Sequence, residues 1–335
     1  MPHQDSVIAE RDGRAGRIRL NRPRALNALD LPMIRAIAQA LDHWRADPHV
    51  HLVLIEGTGE RAFCAGGDIR ALRQHQIDGD RPPIDAFFTE EYALNRMIAE
   101  YPKPYVALID GICMGGGIGV SVHAPYRVAT EHAVFAMPET AIGFFPDIGA
   151  SFFLPRLPGR LGTYLGLTGA RVTGADAVHA GLATHFTPRA ALPALAGELA
   201  ADGIAGLARH AAPLPDFTLA PQREAIDRCF GADTIPELMA RLAAEGSDFA
   251  RQTETVLRGV SPSALAWTLR LLREGEGRTL ARCLDAEFAL THTTMRHPDF
   301  VEGVRAMVVD KDRQPRWTPA RIEDVRPAEI AALFV

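Results

Sequence analysis

The chain has 335 residues, which is enough to bury a large hydrophobic core in one domain or in two smaller ones. Its apolar content of 47% and charged content of 23% are those of an ordinary soluble globular protein. A formal net charge of −5, without a dense run of Lys or Arg, argues against a nucleic-acid-binding protein. The scattered arginines still allow a local basic patch that binds a phosphorylated ligand.

Cysteine usage and the N-terminus give an expectation for the cellular compartment. The four cysteines are widely spaced and form no C-x-x-C pair, which favours reduced thiols over disulfides or a zinc site. The first residues contain neither a secretory signal nor an Arg/Ser-rich presequence. No apolar run reaches the roughly 18 residues of a membrane helix. We therefore expect a soluble, cytoplasmic protein without a membrane partner.

The first part of the chain predicts a hairpin, a helix and a buried strand. Residues 6–11 and 17–20 are typical of two short strands around an Asp-Gly turn. After Asp30, a good N-cap, apolar residues recur on one face of residues 31–44, which predicts an amphipathic helix. Residues 50–55 have the composition of a buried strand.

Strand, loop and helix alternate between residues 50 and 187, which indicates an α/β arrangement. From residue 189 onward helical periodicity dominates, with residues 307–309 as the one candidate strand. The helices predicted there are residues 190–200, 221–230, 235–244, 249–257, 262–273 and 279–294. The pattern thus predicts an α/β front half and a helical back half.

The central stretch of the chain, residues 111–147, contains most of the candidate chemistry. The buried strand predicted at residues 105–110 is followed by three glycines, Gly115 to Gly117, and then by small apolar residues at helical density. Such a turn presents free backbone N–H groups at a helix start, and these favour an oxygen that carries negative charge. Alone, the glycines fit a tight turn or close packing at least as well. Neither the G-x-G-x-x-G spacing nor a Walker GK[ST] motif is present.

A second loop of small residues, CAGGD at residues 64–68, leads into another predicted helix. An ordinary β-to-α loop with Asp68 as N-cap would explain it equally well. The two loops gain meaning together, because stabilising the oxygen of a thioester takes two donors that converge from different segments. The sequence alone does not establish that convergence.

Carboxylates supply the other candidate groups. Glu139 directly follows a strand-ending proline among apolar residues, where desolvation would raise its pKa and suit it to act as a base or nucleophile. Asp147 is explained equally well as the N-cap of the helical residues behind it. Glu90 and Glu91 lie on a helix predicted at residues 84–100, where acidic residues usually face water. The histidines show no metal-ligand spacing, and the G-x-S-x-G elbow of serine hydrolases is absent.

Three segments in order, AFCAGGDI (residues 62–69), GICMGGGIGVS (111–121) and MPET (137–140), resemble the crotonase, or enoyl-CoA hydratase/isomerase, superfamily. The resemblance implies an α/β fold, a crotonase-like spiral of ββα turns with a C-terminal helical region. Residues 1–205 would form the core with the acyl-CoA site, and residues 206–335 would complete the same fold.

The resemblance also implies an acyl-CoA substrate, whose thioester oxygen sits between the backbone N–H groups of Gly67 and Gly116. Hydratases of the superfamily carry two glutamates, of which the second matches Glu139. At the position of the first, this sequence has Gly119. Because water addition uses both carboxylates, ordinary hydratase activity is not expected.

Further segments resemble the branch of the superfamily that hydrolyses 3-hydroxyisobutyryl-CoA: EEYALN (residues 90–95), residues 138–159 and residues 297–317. This likeness implies thioester hydrolysis in valine degradation, with 3-hydroxypropionyl-CoA as a second substrate. The positions that match the functional residues of that branch are Glu91, Gly116, Glu139 and Asp147.

By the same resemblance, Gly67 and Gly116 would stabilise the oxyanion and Glu139 would act as nucleophile or general base. Asp147 would orient the hydroxyl or water, and Glu91 would fix the hydroxyl end of the substrate. The residues expected to contact CoA are Arg24, Ala25, Leu26, Ala65, Asp68, Ile69 and Arg70. CoA is part of the substrate, and neither a metal nor another cofactor is implied.

Two alternatives remain open at this point. One is a hydratase or isomerase of unsaturated acyl-CoA, which Gly119 disfavours. The other is a catalytically silent CoA-binding protein, which the joint presence of Glu139 and Asp147 disfavours. The covalent and general-base routes, the acyl range and a homo-oligomeric state are likewise left open.

Overall fold

A computed structural model describes residues 5–334, which fold into two compact units. The first unit comprises the chain up to Asp68, together with Glu90–Phe135 and Arg171–Thr218. The second unit comprises Ile69–Thr89, Ala136–Ala170 and the chain from Leu219 onward. Because the stretches interleave along the sequence, the predicted boundary at residue 205 stays a prediction.

The strands form a six-stranded sheet of order β1-β2-β3-β5-β7-β10 and a four-stranded sheet of order β4-β6-β8-β9. Their bounds are β1 Val7–Asp12, β2 Ala15–Leu20, β3 Leu52–Gly57, β4 Ala62–Cys64, β5 Tyr105–Ile109, β6 Ile112–Met114, β7 Tyr126–Ala129, β8 Val134–Ala136, β9 Val172–Thr173 and β10 His185–Phe186. The predicted hairpin is confirmed, since β1 and β2 pair antiparallel with Val7 opposite Leu20. The strands from β2 to β10 in the larger sheet pair parallel.

The helices alternate with the strands in the first part of the chain and dominate the later part. Their bounds are α1 Leu31–Arg45, α2 Ile69–Asp78, α3 Arg81–Ala99, α4 Gly116–Val122, α5 Ala150–Phe153, α6 Leu161–Thr168, α7 Asp176–His179, α8 Leu192–Asp202, α9 Gly206–His210, α10 Arg223–Phe230, α11 Ile235–Glu245, α12 Asp248–Gly259, α13 Pro262–Gly275, α14 Leu280–Thr294, α15 Pro298–Val304 and α16 Pro327–Ala331. Among residues 5–334, no helix is both long and apolar enough to cross a membrane.

The larger sheet explains why β3 and β5 consist almost entirely of apolar residues. Leu54 and Val106 belong to the hydrophobic cluster that includes Leu195 and Leu199 of α8. Residues on the opposite face of β3, Val53 and Ile55, are also buried. Parallel strands covered on both faces lose the alternation of apolar and polar residues. These strands hold in place the turns that follow them.

The second unit is mainly helical and has an aromatic core. Trp267 of α13 and Phe300 of α15 are among its most deeply buried side chains. Phe144 stacks on Phe145, with ring centroids 4.5 Å apart, and meets Phe300 edge-on at 5.9 Å. Aromatic pairs at these separations add specific attraction to the area they bury. The cluster therefore anchors the segment that separates the two predicted catalytic carboxylates.

One prediction for local structure is wrong, and one strand was not predicted. Residues 307–309 do not form a strand, because Arg305–Val309 continues from α15 as a π-helix. A short apolar run cannot be assigned by periodicity alone. The single strand predicted at residues 105–110 is followed by a second, β6, before α4 begins. Gly111, with a φ of 79°, makes the turn between the two strands. Because β6 has only three residues, the sequence shows no period there.

The predicted N-cap of α1 is confirmed, because the Asp30 side chain accepts a hydrogen bond from the Met33 N–H at 2.9 Å. Losing such a cap typically costs about 1 kcal/mol of the free energy of unfolding. We expect that decrease for Asp30→Ala in urea denaturation, and a smaller one for Asp30→Ser, whose hydroxyl can still accept. Equal losses in both variants would argue instead for the ion pair of Asp30 with Arg22.

Candidate active site

The two predicted oxyanion donors lie next to each other in the first unit. Gly67 follows β4, and Gly116 is the first residue of α4. The backbone nitrogen of Gly67 lies 3.3 Å from the place where a Cβ on Gly116 would stand. In the other direction, a Cβ on Gly66 would stand 3.5 Å from the Gly116 nitrogen. The two glycine turns, whose donors Gly67 and Gly116 are 49 residues apart in the sequence, therefore meet.

Among residues 5–334, neither of these N–H groups donates to a backbone carbonyl. As the first residue of α4, Gly116 has an N–H group without an acceptor inside the helix. On either side of Gly67, the Leu29 N–H donates to the Gly66 carbonyl, and the Asp68 N–H donates to the Leu29 carbonyl, both at 2.8 Å. Successive residues of an extended chain point their N–H groups in opposite directions. The Gly67 N–H consequently points away from Leu29 and can donate to a ligand.

Glu91 of α3 completes this group of residues. Its side chain is 2% exposed, and its Oε1 lies 2.5 Å from the place where a Cβ on Gly116 would stand. Real Cβ atoms do not approach oxygen so closely, so residue 116 has no room for a side chain while Glu91 keeps this position. A general expectation that acidic residues of this helix face water is thus wrong for Glu91. It holds better for Glu90, which pairs with Arg35 through two bonds of 2.7 Å.

The loop before α1 is hydrogen-bonded to the CAGGD loop, and CoA contacts are predicted on both loops. Leu26, in the left-handed region with a φ of 53°, accepts from the Ala65 N–H at 3.0 Å. The Arg22 guanidinium bonds Asp68 at 3.2 Å, which links the two loops a second time. The other two predicted contact residues on this loop are exposed: Arg24 and Ala25.

The last two predicted CoA contacts, Ile69 and Arg70, open α2 and belong to the second unit. Arg70 is exposed, and its Nη2 donates to the Val308 carbonyl at 2.8 Å. The guanidinium is thus held by the π-helical segment of its own unit. It keeps further N–H groups with which to bind a phosphate.

Glu139 begins a 3₁₀ turn, Glu139–Ile142, immediately after Pro138. Its carboxyl group is buried, and its Oε2 finds no hydrogen-bond partner among residues 5–334. Burial raises the pKa of Glu139 well above its usual range, and the negative charge of Asp147 raises it further. Its own backbone N–H opposes the rise. A buried carboxylate with an open oxygen is suited to accept a proton or to attack a carbon.

Asp147 is 6% exposed and lies in the second unit with Glu139. The alternative reading, in which Asp147 caps the following helix, does not describe α5. The N-cap residue of α5 is Gly149, which has no side chain of its own to cap the helix. Between them Ile148 adopts a φ of 56°, a conformation that β-branched residues rarely enter. The turn that carries Asp147 is therefore strained.

Sequence reasoning missed Glu287 of α14. This side chain is fully buried and accepts hydrogen bonds from the Gly149 N–H at 2.6 Å and the Ser151 N–H at 2.9 Å. Burial raises its pKa to about 8 despite these bonds. A signal was present, because Glu287 falls on the buried stripe of α14 between Leu284 and Leu290. A glutamate at an apolar position of a helix pattern is rare unless it has partners.

The remaining reactive groups do not form a site of their own. All four cysteines are buried, and burial raises the pKa of the Cys64 thiol to about 12. Such thiols are poor nucleophiles. Within residues 5–334, no group of three or more His, Cys, Asp or Glu side chains is arranged to hold a metal ion.

Comparison with known proteins identifies a matching family and similar enzymes within it. The enoyl-CoA hydratase/isomerase family model matches residues 15–334. The mitochondrial 3-hydroxyisobutyryl-CoA hydrolase of Rattus norvegicus is 46% identical over 340 residues, covering 98% of this chain and 88% of the relative. The enzyme of the same name from Homo sapiens is 45% identical over 338 residues, covering 97% and 87%.

Solved structures confirm the predicted crotonase-like fold. A carnitinyl-CoA dehydratase from Mycobacterium thermoresistibile superposes with a TM-score of 0.95 at 39% identity, covering 99% of this chain and 97% of the other. An enoyl-CoA hydratase from Rhodobacter sphaeroides 2.4.1 superposes with a TM-score of 0.92 at 42% identity, with the same coverage.

The expectation of a cytoplasmic protein is contradicted by these comparisons, because the curated relatives are named as mitochondrial. A targeting segment determines the compartment of an enzyme. The composition of the folded domain does not distinguish the mitochondrion from the cytoplasm. On fold, sequence and length together, the chain belongs to the enoyl-CoA hydratase/isomerase family.

Proposed function

We propose that this chain hydrolyses the thioester of 3-hydroxyisobutyryl-CoA, giving 3-hydroxyisobutyrate and CoA as a step of valine degradation. The observation that carries the proposal is the identity of 45–46% to curated relatives named for this activity, over almost the whole chain. The same match extends through the helical second half, which includes the segments around Glu287 and the π-helix.

The N–H groups of Gly67 and Gly116 bind the thioester oxygen. Neither donates to a backbone carbonyl among residues 5–334, and the two turns lie side by side in one unit of the fold. Their bonds strengthen as the carbonyl becomes a tetrahedral oxyanion, so they stabilise the transition state more than the substrate. Losing one such donor typically lowers the rate by about 10²–10³.

Glu139 acts on the carbonyl carbon by one of two routes. As a nucleophile, its carboxylate adds to the carbon, CoA leaves as the thiolate and takes up a proton, and water then cleaves the mixed anhydride. As a general base, it takes a proton from water while the hydroxide adds to the carbon, and CoA leaves with that proton. Both routes require the ionised carboxylate. Trapping of an acyl-Glu139 adduct in a pre-steady-state burst distinguishes the first route from the second.

Asp147 and Glu91 act on the polar end of the acyl group. Asp147 orients the substrate hydroxyl or the water, and its charge adds to the rise in the pKa of Glu139 that burial causes. Glu91 fixes the hydroxyl from its buried position beside Gly116. The CoA moiety binds along the loops that carry Arg24, Ala25, Leu26, Ala65, Asp68, Ile69 and Arg70, where guanidinium groups can pair with phosphates.

A second candidate is hydration of an unsaturated acyl-CoA, which the names of the two superposed structures favour. The decisive residue is Gly119, which stands where hydratases of the superfamily carry a glutamate. The two reactions differ in their products, since only hydrolysis releases a free thiol.

Release of CoA thiol tests the proposal directly. We expect 3-hydroxyisobutyryl-CoA to be cleaved at a rate far above crotonyl-CoA hydration, and Glu139→Gln to lower thiol release by about 10³ or more. Because all four cysteines are buried, a thiol reagent reports CoA with little background from the protein. Crotonyl-CoA hydration that exceeds thiol release would establish the hydratase instead. Binding of CoA without either reaction would establish the silent protein.

The pKa of Glu139 predicts how stability responds to pH. A carboxyl group whose pKa is higher in the folded than in the unfolded state stabilises the fold below the unfolded value, and this contribution is lost as pH rises through the folded value. The Glu139→Gln variant avoids that loss. We expect its free energy of unfolding, relative to the wild type, to grow by about 1.4 kcal/mol per pH unit between those two values. Denaturant unfolding at pH 5 and pH 8 measures the difference, and a constant difference would refute the raised pKa.

A methyl group at Gly116 tests the oxyanion site. Its Cβ would stand 2.5 Å from Glu91 Oε1 and 3.3 Å from the Gly67 nitrogen, so both must shift. We expect Gly116→Ala to lower kcat by about 10²-fold or more. Gly197→Ala is the matched control, because a Cβ on that residue of α8 meets no atom within 4 Å. It should leave kcat unchanged and raise stability slightly. Full activity in Gly116→Ala would exclude this residue from the site.

A further inference from the structure

The turn that carries Asp147 is held in an unfavourable backbone conformation. Ile148 has a φ of 56°, and Gly149 follows with a φ of 84°. Isoleucine is disfavoured in the left-handed region because its branched Cβ meets the neighbouring carbonyl. Such a residue persists only where the surrounding structure fixes it. The question is which group fixes this turn.

The carboxyl group of Glu287 provides the answer. Its Oε2 accepts from the Gly149 N–H at 2.6 Å, and its Oε1 accepts from the Ser151 N–H at 2.9 Å and from the Ser151 hydroxyl at 2.5 Å. Three donors from the residues just after Ile148 thus converge on one side chain that is 136–138 residues away in the sequence. Gly275 of α13 closes the turn from another side, since a Cβ there would overlap the Ser151 carbonyl.

Glu287 is an unusual choice for a purely structural role. It is 0% exposed, and within residues 5–334 no Lys or Arg side chain forms an ion pair with it. A buried carboxylate without a cation is costly, and apolar residues of similar volume often serve stability as well or better. The negative charge of Asp147 also opposes ionisation of Glu287. The fold therefore keeps Glu287 at this turn although the nearby charge of Asp147 disfavours its ionisation.

We infer that Glu287 is a positioning residue, which holds the strained turn of residues 147–151 so that Asp147 takes part in the reaction. The inference rests on the proposed function, because it assigns Glu287 a role only through Asp147. Glu287 itself contacts the backbone of this turn and the Ser151 hydroxyl, and it has no contact with a reacting atom. Its removal should therefore slow the chemical step more than it weakens CoA binding.

The smallest substitution that tests the positioning role of Glu287 is Glu287→Gln. A glutamine keeps the shape but replaces one oxygen by an NH₂ group, which faces an N–H donor of the turn and cannot accept from it. We expect kcat to fall about tenfold or more while KM for the acyl-CoA stays within about threefold. Asp285→Asn is the matched control, because it removes an exposed carboxylate two residues earlier on the same helix. Its kcat should equal that of the wild type.

A double-mutant cycle separates positioning of Asp147 from general destabilisation. If Glu287 acts through Asp147, then Glu287→Gln should lower kcat by less than about threefold in an Asp147→Asn background. A purely structural role would lower kcat by the same factor in both backgrounds. The cycle is measured on whichever substrate the wild type converts, by thiol release or by crotonyl-CoA hydration.

Ser151→Ala supplies a second test in case Glu287→Gln does not fold. It removes only the hydroxyl bond to Glu287 and leaves both backbone bonds, so we expect a partial fall in kcat with an unchanged melting temperature. The inference is overturned if a folded Glu287→Gln has the kcat of Asp285→Asn, or if the cycle shows equal factors. A wild type that releases no thiol from 3-hydroxyisobutyryl-CoA refutes the proposed function instead, so the two failures are distinguishable.

Discussion

Burial of carboxyl groups is the constraint on which the site depends. Glu139, Asp147 and Glu287 in the second unit, and Glu91 in the first, are each at most 7% exposed. Desolvation disfavours the charged forms of Glu139 and Glu287, and the pKa values of these two groups rise accordingly. Glu287 has no Lys or Arg partner among residues 5–334, and such burial is costly, since the same volume of apolar side chain packs more favourably. Function is the better explanation for this concentration of buried acid.

The glycine turns impose a complementary constraint in the first unit. A backbone amide can serve as an oxyanion donor only if its N–H has no partner in the fold and no side chain covers it. Gly116 meets the first condition because it starts a helix, and Gly67 meets it through the alternation of an extended segment. Glu91 occupies the space that a side chain of residue 116 would need. Donor and carboxylate are thus fitted to each other by the missing Cβ.

The sequence predicted local features of this arrangement well and long-range ones poorly. The hairpin, α1 with its Asp30 cap, and the helices of the second half followed from short-range periodicity and capping. The meeting of the two glycine turns was a hypothesis, because no local pattern encodes which loops converge. Glu287 was missed for the same reason. Its partners lie in a turn more than 130 residues earlier, and only the three-dimensional fold brings the two together.

The position of Glu91 bears on the choice between hydrolysis and hydration. A glutamate at residue 119 would extend from α4 itself, one turn beyond the amide of Gly116. In this chain residue 119 has no side chain, and the buried carboxylate of Glu91 comes from α3 and lies directly beside the Cβ position of Gly116. Because adding water across a double bond depends on two carboxylates placed to share that water, a glutamate that enters from another helix does not replace the missing one. Its place beside the amide agrees with the role proposed for it, which is to bind a polar substituent of the acyl group such as the hydroxyl of a hydroxyacyl thioester.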